Sequence, residues 1–328
     1  MMKIFHVAAA VGAVASCLLL GGCPATRDMA ADLRTNVGGN EQPRILAAYQ
    51  PWFGREGHID VGYSSQDRTV LARQIKQAKQ LGISAFVVNW YGPSRDFEDR
   101  SYAMLQRVAA DQRFKVALMY DESGDNAEEA TTNAINDLNY AYDRYFGPHA
   151  SVSTQSYMLI DDRPVIFIYP KSGDTDWKRV RQNMQGWDKQ PIILYKDLKV
   201  KDPAQFDGFY AWVAPGDEGW SSDGSNWGRA YLDGFYKSMA DKYPDKIAVG
   251  AAWPGFDDSK AAWTRNRHMD ARCGKTFEDS LRTFRGSYNA TQPLPFLMID
   301  TWNDYEEGSA IEGGISCNGK TVPLVVQP

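Results

Sequence analysis

Near its C-terminus the chain reads Phe296-Leu297-Met298-Ile299-Asp300-Thr301-Trp302-Asn303-Asp304-Tyr305-Glu306-Glu307-Gly308. The first four residues form an apolar run that is typical of a buried strand. The segment after it contains Asp304, Glu306 and Glu307, and Glu312 follows shortly. A buried strand has no packing requirement for these acids, so the segment predicts a strand whose C-terminal end carries clustered carboxyl groups.

Clustered carboxylates repel one another, and at least one of them should keep its proton near neutral pH. A protonated and an ionised carboxyl together form the pair that glycoside hydrolysis uses. The alternative is a solvated acidic loop with a helix cap, and the spacing of the acids alone leaves both interpretations open.

The same segment resembles two families of glycan-cleaving enzymes. Trp302-Asn303-Asp304-Tyr305 followed by Glu307 resembles the signature of the fungal α-1,3-glucanases of glycoside hydrolase family 71. The continuation from Glu307 to Glu312 is similar to the endo-α-mannosidases and endomannanases of family 99, which read roughly W-N-E-W-H-E-G-x-x-I-E. This chain has Asp304 where family 99 has Glu, and Glu306 where it has His. The resemblance therefore leaves α-glucan and α-mannan open as substrates.

Residues 1–22 have the features of a lipoprotein signal peptide. Lys3 precedes an apolar stretch over residues 4–20, and Leu20-Gly21-Gly22-Cys23 has the form of a bacterial lipobox. We expect lipidation of Cys23 to anchor the chain in the cell envelope, in the periplasm or at the outer surface. An ordinary signal peptide with an incidental cysteine is the alternative.

Length, net charge and cysteine content limit the classes of protein to which this chain can belong. Residues 23–42 are polar and suit a flexible tether, which leaves residues 43–328 for one domain of a size common among α/β barrels. The formal net charge is −5 and no basic run is present, which argues against a nucleic-acid ligand. We expect a monomer.

In an oxidising compartment Cys273 and Cys317 are predicted to form a disulfide, with a free buried pair as the alternative.

Strand and helix patterns alternate through this domain. Strand-like runs cover residues 45–49, 83–90, 114–120, 165–169, 192–195, 208–213, 247–253 and 296–302. Helical patterns cover residues 70–81, 102–110, 127–145, 177–186, 227–243 and 276–288, and residues 157–163 read as a small hairpin. Eight strands with helices between them predict a single (β/α)₈ TIM barrel of the α/β class. The alternative, a doubly wound sheet, does not ordinarily need eight strands in one domain.

Aromatic and polar side chains recur where these strands end, which is where the active site of such a barrel lies. Sugar rings present apolar C–H faces and hydroxyl edges, so aromatic platforms beside amides and acids suit an oligosaccharide groove. For any single aromatic, core packing is the alternative. The candidate substrate-binding residues are Tyr49, Trp52, Asn89, Trp90, Tyr120, Glu122, Trp212, Trp253, Asp257, Arg267, Trp302, Asn303 and Glu312.

The resemblance to family 99 extends from about residue 45 to residue 313. Pro254-Gly255-Phe256-Asp257 resembles the P-G-Y-x-D loop of that family, and Tyr63-Ser64-Ser65-Gln66-Asp67 resembles its Y-S-S-x-D entrance to the first helix. Residues 212–227 are similar to its Gly/Ser/Trp loop after the sixth strand.

The resemblance also implies catalytic roles. Asp304 matches the position that acts as base, Glu307 the position that acts as acid, and Glu312 a final acid. Family 99 acts with retention, assisted by the 2-hydroxyl of the sugar, whereas family 71, which has Asp at this position, inverts. Because Asp is shorter than Glu and leaves more room for water, and because Gly308 favours a turn here, the sequence predicts inversion.

Other chemistries find little support in the sequence. His58, His149 and His268 are far apart, and neither H-E-x-x-H nor C-x-x-C occurs. No G-x-S-x-G, P-loop or G-x-G-x-x-G motif is present, so we expect neither a metal nor a cofactor. His58 is a candidate for a sugar subsite, with a plain surface histidine as the alternative.

The sequence therefore predicts an endo-acting glycoside hydrolase for an α-linked polysaccharide or oligosaccharide. Asp304 would activate water or the 2-hydroxyl, and Glu307 would protonate the leaving oxygen. The alternative is a non-catalytic glycan-binding surface lipoprotein that retains the barrel.

Overall fold

A computed structural model of the chain describes residues 44–171, 174–287, 296–322 and 324. The predicted signal peptide, the predicted tether with Cys23 and the last residue of the final predicted helix, Tyr288, lie outside the described residues. Within the described part of the chain, every helix is too short or too polar to cross a bilayer.

Eight parallel strands close into a barrel, which confirms the predicted fold. The strands are β1 (Arg44–Tyr49), β2 (Ile83–Trp90), β3 (Lys115–Asp121), β4 (Arg163–Tyr169), β5 (Ile192–Lys196), β6 (Gly208–Tyr210), β7 (Ile247–Ala252) and β8 (Phe296–Ile299). Each strand pairs with the next, and β8 pairs with β1 to complete the ring. The predicted hairpin is a short antiparallel strand, Leu159–Ile160, against the start of β4.

Helices cover the outside of the barrel. They are α1 (Arg68–Gln80), α2 (Asp96–Asp111), α3 (Ala127–Ala141), α4 (Trp177–Asn183), α5 (Arg229–Lys242) and α6 (Lys275–Ser287). The described connection from β5 to β6 contains only the 3₁₀ turn Pro203–Gln205. This agrees with the absence of a helical pattern in that part of the sequence.

The sequence of α1 explains why the helix forms where it does. Asp67 caps its start, because the carboxylate accepts a hydrogen bond of 2.8 Å from the backbone N–H of Thr69. Leu71 and Ile75 are buried one turn apart and face the barrel. The helix ends before Gly82, whose φ of +80° lies in the left-handed region that glycine adopts without strain.

The barrel strands are buried over nearly their whole length, because helices cover one face and the barrel interior the other. Their side chains therefore alternate between the barrel interior and the helix layer. This alternation decides which of the residues at the strand ends reach the site.

The eighth strand ends earlier than predicted, at Ile299 instead of at residue 302. Beyond Ile299 the backbone leaves the regular ladder but stays attached to both neighbouring strands. The N–H of Asp300 donates to the carbonyl of Ala252 on β7 (2.9 Å), and the N–H of Trp302 donates to the carbonyl of Ala48 on β1 (2.7 Å). The acidic segment therefore starts from a fixed position at the rim of the barrel.

Cys273 and Cys317 form a disulfide, as predicted, with their Cα atoms 4.7 Å apart. The bridge joins the loop after β7 to the short strand Ile315–Cys317, which follows the acidic segment. It therefore ties together two of the loops at the C-terminal face of the barrel.

We expect replacement of both cysteines by serine to lower the free energy of unfolding by about 2–4 kcal/mol, because the bridge closes a loop of 44 residues in the unfolded chain. Chemical denaturation of the oxidised wild type and the double variant measures this difference. Equal denaturation midpoints for the two proteins would contradict the prediction.

Candidate active site

The acidic segment, residues 300–312, folds into a compact loop, which we call the acidic loop. The N–H of Thr301 donates to the carbonyl of Ser309 (2.9 Å), and the N–H of Ser309 donates to the carbonyl of Asp304 (3.0 Å). Gly308 has φ +60°, and a Cβ at this position would lie 3.0 Å from the backbone nitrogen of Asp257. Only glycine fits this close approach without strain.

The Asp304 side chain organises the residues that follow it. Its Oδ1 accepts hydrogen bonds from the N–H groups of Glu306 (3.1 Å) and Glu307 (2.8 Å), and its own N–H donates to Oγ1 of Thr301 (2.8 Å). Residues 305–308 form a turn, as the sequence predicts. Because every described hydrogen bond of the Asp304 carboxyl falls on Oδ1, the turn leaves Oδ2 for the cavity.

Four of the five acids of the loop form two pairs, and the fifth, Asp300, is buried at the start of the loop. Asp304 and Glu307 line the cavity at the C-terminal end of the barrel, whereas Glu306 and Glu312 face the segment between β1 and α1, residues 50–67, which we call the entry loop. Glu306 accepts hydrogen bonds from Nδ1 of His58 (2.9 Å) and the N–H of Ile59 (3.1 Å). These contacts fix the entry loop to the acidic loop.

Glu312 anchors the other end of the entry loop. It accepts hydrogen bonds from the hydroxyls of Tyr63 (3.0 Å) and Tyr305 (3.1 Å) and from the side-chain amide of Gln74 on α1 (2.8 Å). It contributes to the shape of the site without lining the cavity.

The cavity has a volume of about 580 Å³, which suits a ligand of oligosaccharide size. Its lining comes from the ends of β2, β3 and β4, from the first turn of α2 and from the loops after β1, β2, β4, β6, β7 and β8. The lining residues are Gln50, Trp52, Arg55, Glu56, Gly57, His58, Asn89, Tyr91, Arg95, Glu98, Asp121, Tyr169, Lys171, Trp212, Trp263, Arg267, Asp304 and Glu307.

One wall of the cavity is aromatic. Trp52 and His58 stack with their ring centroids 5.0 Å apart, and Trp263 meets Trp52 nearly at right angles, with centroids 5.8 Å apart. The indole N–H of Trp263 donates to Oε1 of Glu307 at 2.8 Å. The wall therefore reaches one of the two carboxyls directly.

Charged groups also line the cavity. Arg95 and Lys171 contribute positive charge, and Arg55 forms an ion pair with Glu98. Burial raises the pKa of Asp121 to about 7, although the charge of Lys171 opposes the shift. Among the described residues, no group of three or more His, Cys, Asp or Glu side chains is arranged to hold a metal ion.

Burial raises the pKa of both carboxyls that line the cavity. For Asp304 the negative charge of Glu307 adds to the effect of burial, and the pKa lies well above its usual range. For Glu307 the hydrogen bond from Trp263 and the charge of Arg267 oppose the effect of burial, and a net increase remains. Because the two charges repel, the pair favours a state in which one carboxyl holds a proton and the other is ionised. The upward shift is stronger for Asp304, so without a glycan the proton lies preferentially on Asp304. The acid role that the resemblance implies for Glu307 therefore requires glycan binding to move the proton to Glu307.

The structure brings six of the predicted site residues together at this cavity. They are Trp52, Asn89, Trp212, Arg267, Asp304 and Glu307. Trp212 lies against Tyr169 with ring centroids 5.5 Å apart, and Arg267 forms an ion pair of 2.9 Å with buried Asp258.

The other predicted substrate-binding residues do not line the cavity. They are Tyr49, Trp90, Tyr120, Glu122, Trp253, Asp257, Trp302, Asn303 and Glu312. Several of them point from the strand ends into the helix layer. The indole N–H of Trp90 donates to Asp99 on α2 (3.0 Å), and the hydroxyl of Tyr120 donates to Asp137 on α3 (3.1 Å).

Four of the remaining residues pack inside the fold. Tyr49 donates to Gln74 on α1 (2.8 Å), Glu122 accepts from Trp177 on α4 (2.8 Å), and Trp253 donates to the carbonyl of Trp227 (3.0 Å), while Trp302 packs against Phe86.

The last two residues hold loops in place. Asn303 exchanges hydrogen bonds with the backbone of Gln50 (2.8 and 2.9 Å), and the backbone N–H of Asp257 donates to the carbonyl of Glu307 (2.7 Å).

The fold and the motif together identify the family. A family model described as Glycosyl hydrolase family 99 matches residues 45–323. The chain belongs to this family. The predicted resemblance is thereby confirmed, and it is resolved in favour of family 99.

Two mammalian proteins are among the relatives of this family 99 chain. Glycoprotein endo-alpha-1,2-mannosidase of Rattus norvegicus is 25% identical over 271 residues, which cover 77% of this chain and 55% of the relative. The protein of the same name from Mus musculus is 24% identical over the same shares. The chain spans about half the length of these curated relatives.

Solved structures of the family have the same barrel. The GH99 endo-alpha-mannosidase from Bacteroides thetaiotaomicron matches with a TM-score of 0.60 at 18% identity, over 86% of this chain and 92% of that chain. A structure of the enzyme in complex with bis-tris-propane matches with a TM-score of 0.62, also at 18% identity, over 84% and 88%. This likeness shows the fold.

Proposed function

We propose that this family 99 chain is an endo-acting glycoside hydrolase that cleaves α-linked, mannose-containing glycans. The observation that carries the proposal is the pair Asp304 and Glu307, adjacent in a cavity of about 580 Å³ beside an aromatic wall. The endo-alpha-mannosidases to which the chain is similar support mannan over glucan as the substrate.

In this proposal one carboxyl acts as the general acid and the other as the base when the glycosidic bond breaks. Glu307 gives its proton to the leaving oxygen as the bond from C1 breaks. Asp304 acts as the base and takes a proton through Oδ2, while the two backbone N–H groups on Oδ1 hold the carboxylate in place. Burial excludes bulk water, which strengthens these interactions.

The oxygen that loses its proton to Asp304 forms the new bond to C1, and it belongs either to water or to the 2-hydroxyl of the sugar. In the second case water then opens the three-membered ring at C1, while Glu307 takes a proton from this water and Asp304 returns its proton to the 2-oxygen. The sequence predicted inversion because Asp304 is short and because family 71, which also has Asp at this position, inverts. Membership of family 99 supports the substrate-assisted route, so we now expect net retention.

We further propose that the chain acts at the bacterial cell envelope, anchored through a lipid on Cys23. The lipobox sequence before Cys23 supports this location. A membrane-bound hydrolase of this kind would meet its glycan outside the cytoplasm, where the disulfide is stable.

Incubation of the protein with defined α-mannans and α-glucans tests the function. We expect release of oligosaccharides from α-mannan and none from α-glucan, with an initial α-anomer of the product by proton NMR. An initial β-anomer would instead support the inverting mechanism predicted from the sequence. Tight binding of α-mannan without any released sugar over days would favour the glycan-binding lipoprotein instead.

A further inference from the structure

Trp263 lies in the loop after β7 and is one of two large apolar side chains that are exposed among the described residues. Its exposed fraction is 43%, and that of the other, Leu159, is 41%. Leu159 pairs with Pro164 near the start of β4, so it lies towards the N-terminal end of the barrel strands. Trp263 instead lines the cavity.

The contacts of Trp263 distinguish it from an incidental surface aromatic. Its N–H donates to Oε1 of Glu307 at 2.8 Å, and its ring lies nearly perpendicular to Trp52 and, with centroids 6.3 Å apart, tilted against His58. The indole is therefore held in one orientation by an acid and an aromatic wall. A large part of its surface still faces the solvent.

The position of the proposed general acid, Glu307, indicates which part of a bound glycan would cover the exposed part of the Trp263 ring. A general acid has to come within hydrogen-bond distance of the leaving oxygen. Because Trp263 binds the Glu307 carboxyl directly, a sugar that carries the leaving oxygen must lie beside the indole. Apolar C–H faces of sugars pack against aromatic rings.

We propose that Trp263 is the platform for the leaving-group sugar and also the residue that orients the Glu307 carboxyl. The proposal rests on the function proposed above and extends it by assigning the side of the cavity that receives the departing chain. It gives one residue two separable tasks, since the ring provides the stacking surface and the N–H holds the acid.

Two substitutions separate these tasks. Trp263→Phe keeps an aromatic ring and removes the N–H, whereas Trp263→Ala removes both. Leu159→Ala is the matched control, because it removes the other large exposed apolar side chain from outside the cavity. The substrates are an α-mannooligosaccharide and the α-glycosyl fluoride of the same glycone, which has no leaving-group sugar and needs no proton on its leaving group.

For Trp263→Ala we expect kcat/KM on the oligosaccharide to fall about tenfold or more, because the stacking contact is lost. On the fluoride it should fall at most about twofold to threefold. Leu159→Ala should change neither value. An equal loss on both substrates, or no loss on the oligosaccharide, would overturn the proposal.

Trp263→Phe should keep the KM for the oligosaccharide near that of the wild type and move the alkaline limb of the pH–rate profile to higher pH. The lost N–H stabilised the ionised Glu307, so without it the pKa of this carboxyl rises and the acid keeps its proton longer. The other groups that act on Glu307 stay in place: Asp304, Asp258, Arg267, Lys196 and Tyr169. An unchanged alkaline limb would contradict the orienting role.

A binding experiment separates failure of this proposal from failure of the proposed function. Calorimetric titration of the α-mannooligosaccharide compares Glu307→Gln with the double variant Glu307→Gln/Trp263→Ala. Weaker binding by the double variant supports the platform even if the wild type hydrolyses neither substrate, in which case only the hydrolytic function fails. Equal affinity of the two variants overturns the platform.

Discussion

Glu307→Gln is expected to lower kcat on an α-mannooligosaccharide about 10³-fold, because the leaving oxygen then receives no proton as the bond breaks. The substituted amide oxygen can still accept the N–H of Trp263, so the side chain keeps its position and KM should change little. Steady-state kinetics with product analysis measure both values.

A change of leaving group makes this test specific for the acid. Hydrolysis of the α-glycosyl fluoride should fall far less in the same variant, since fluoride departs without a proton. Glu278→Gln, which alters an exposed acid on α6 that pairs with Arg282, is the control and should leave both rates unchanged. Near wild-type turnover of the oligosaccharide by Glu307→Gln would remove Glu307 from its proposed role.

Asp304→Asn is expected to lower kcat/KM by a similar factor of about 10³, because an amide cannot take the proton. Its Oδ1 can still accept the two backbone N–H groups of the turn, so the melting temperature should stay near that of the wild type. Asp304→Ala should lose as much activity and also about 1 kcal/mol of stability, because those N–H groups lose their acceptor.

The matched control for the stability effect is Asn126→Ala. Asn126 caps α3 by accepting the N–H of Glu129 (3.0 Å) and lies outside the cavity, so it should lose stability without losing activity. Equal stability of the Asn and Ala variants would contradict the role of Asp304 in the turn.

The barrel could be predicted because its strands are buried on both faces. Such strands read as continuous apolar runs, and residues such as Gly82 mark the ends of the helices between them. The end of β8 was predicted three residues too late. Asp300 to Trp302 keep backbone contacts to the neighbouring strands, and Trp302 is buried, so the sequence pattern there continues beyond the regular ladder.

The site could be predicted only in part. The prediction treated every residue at a strand end alike, although alternation places Asn89 and Tyr91 in the cavity and Trp90 between them in the helix layer. Had only every second residue at each strand end been counted as facing the barrel interior, Trp90 and Tyr120 would not have been predicted as substrate-binding residues.

Other lining residues gave no usable signal. Trp263 and Lys171 lie on loops without periodicity, and the hydrogen bond from Trp263 to Glu307 joins positions 44 residues apart. Such contacts follow from the closure of the barrel, which no local pattern in the sequence contains.

The division of the acidic loop into inward and outward acids has a consequence for protein engineering. Glu306 and Glu312 bind the entry loop at His58, Ile59 and Tyr63. A chimera whose imported entry loop lacks His58 and Tyr63 would deprive buried Glu306 of its side-chain donor and Glu312 of one of its three donors. The loss at a buried carboxylate costs more than an exposed mismatch. Specificity should therefore transfer between members of the family only when residues 50–67 and 300–312 are grafted as one cassette.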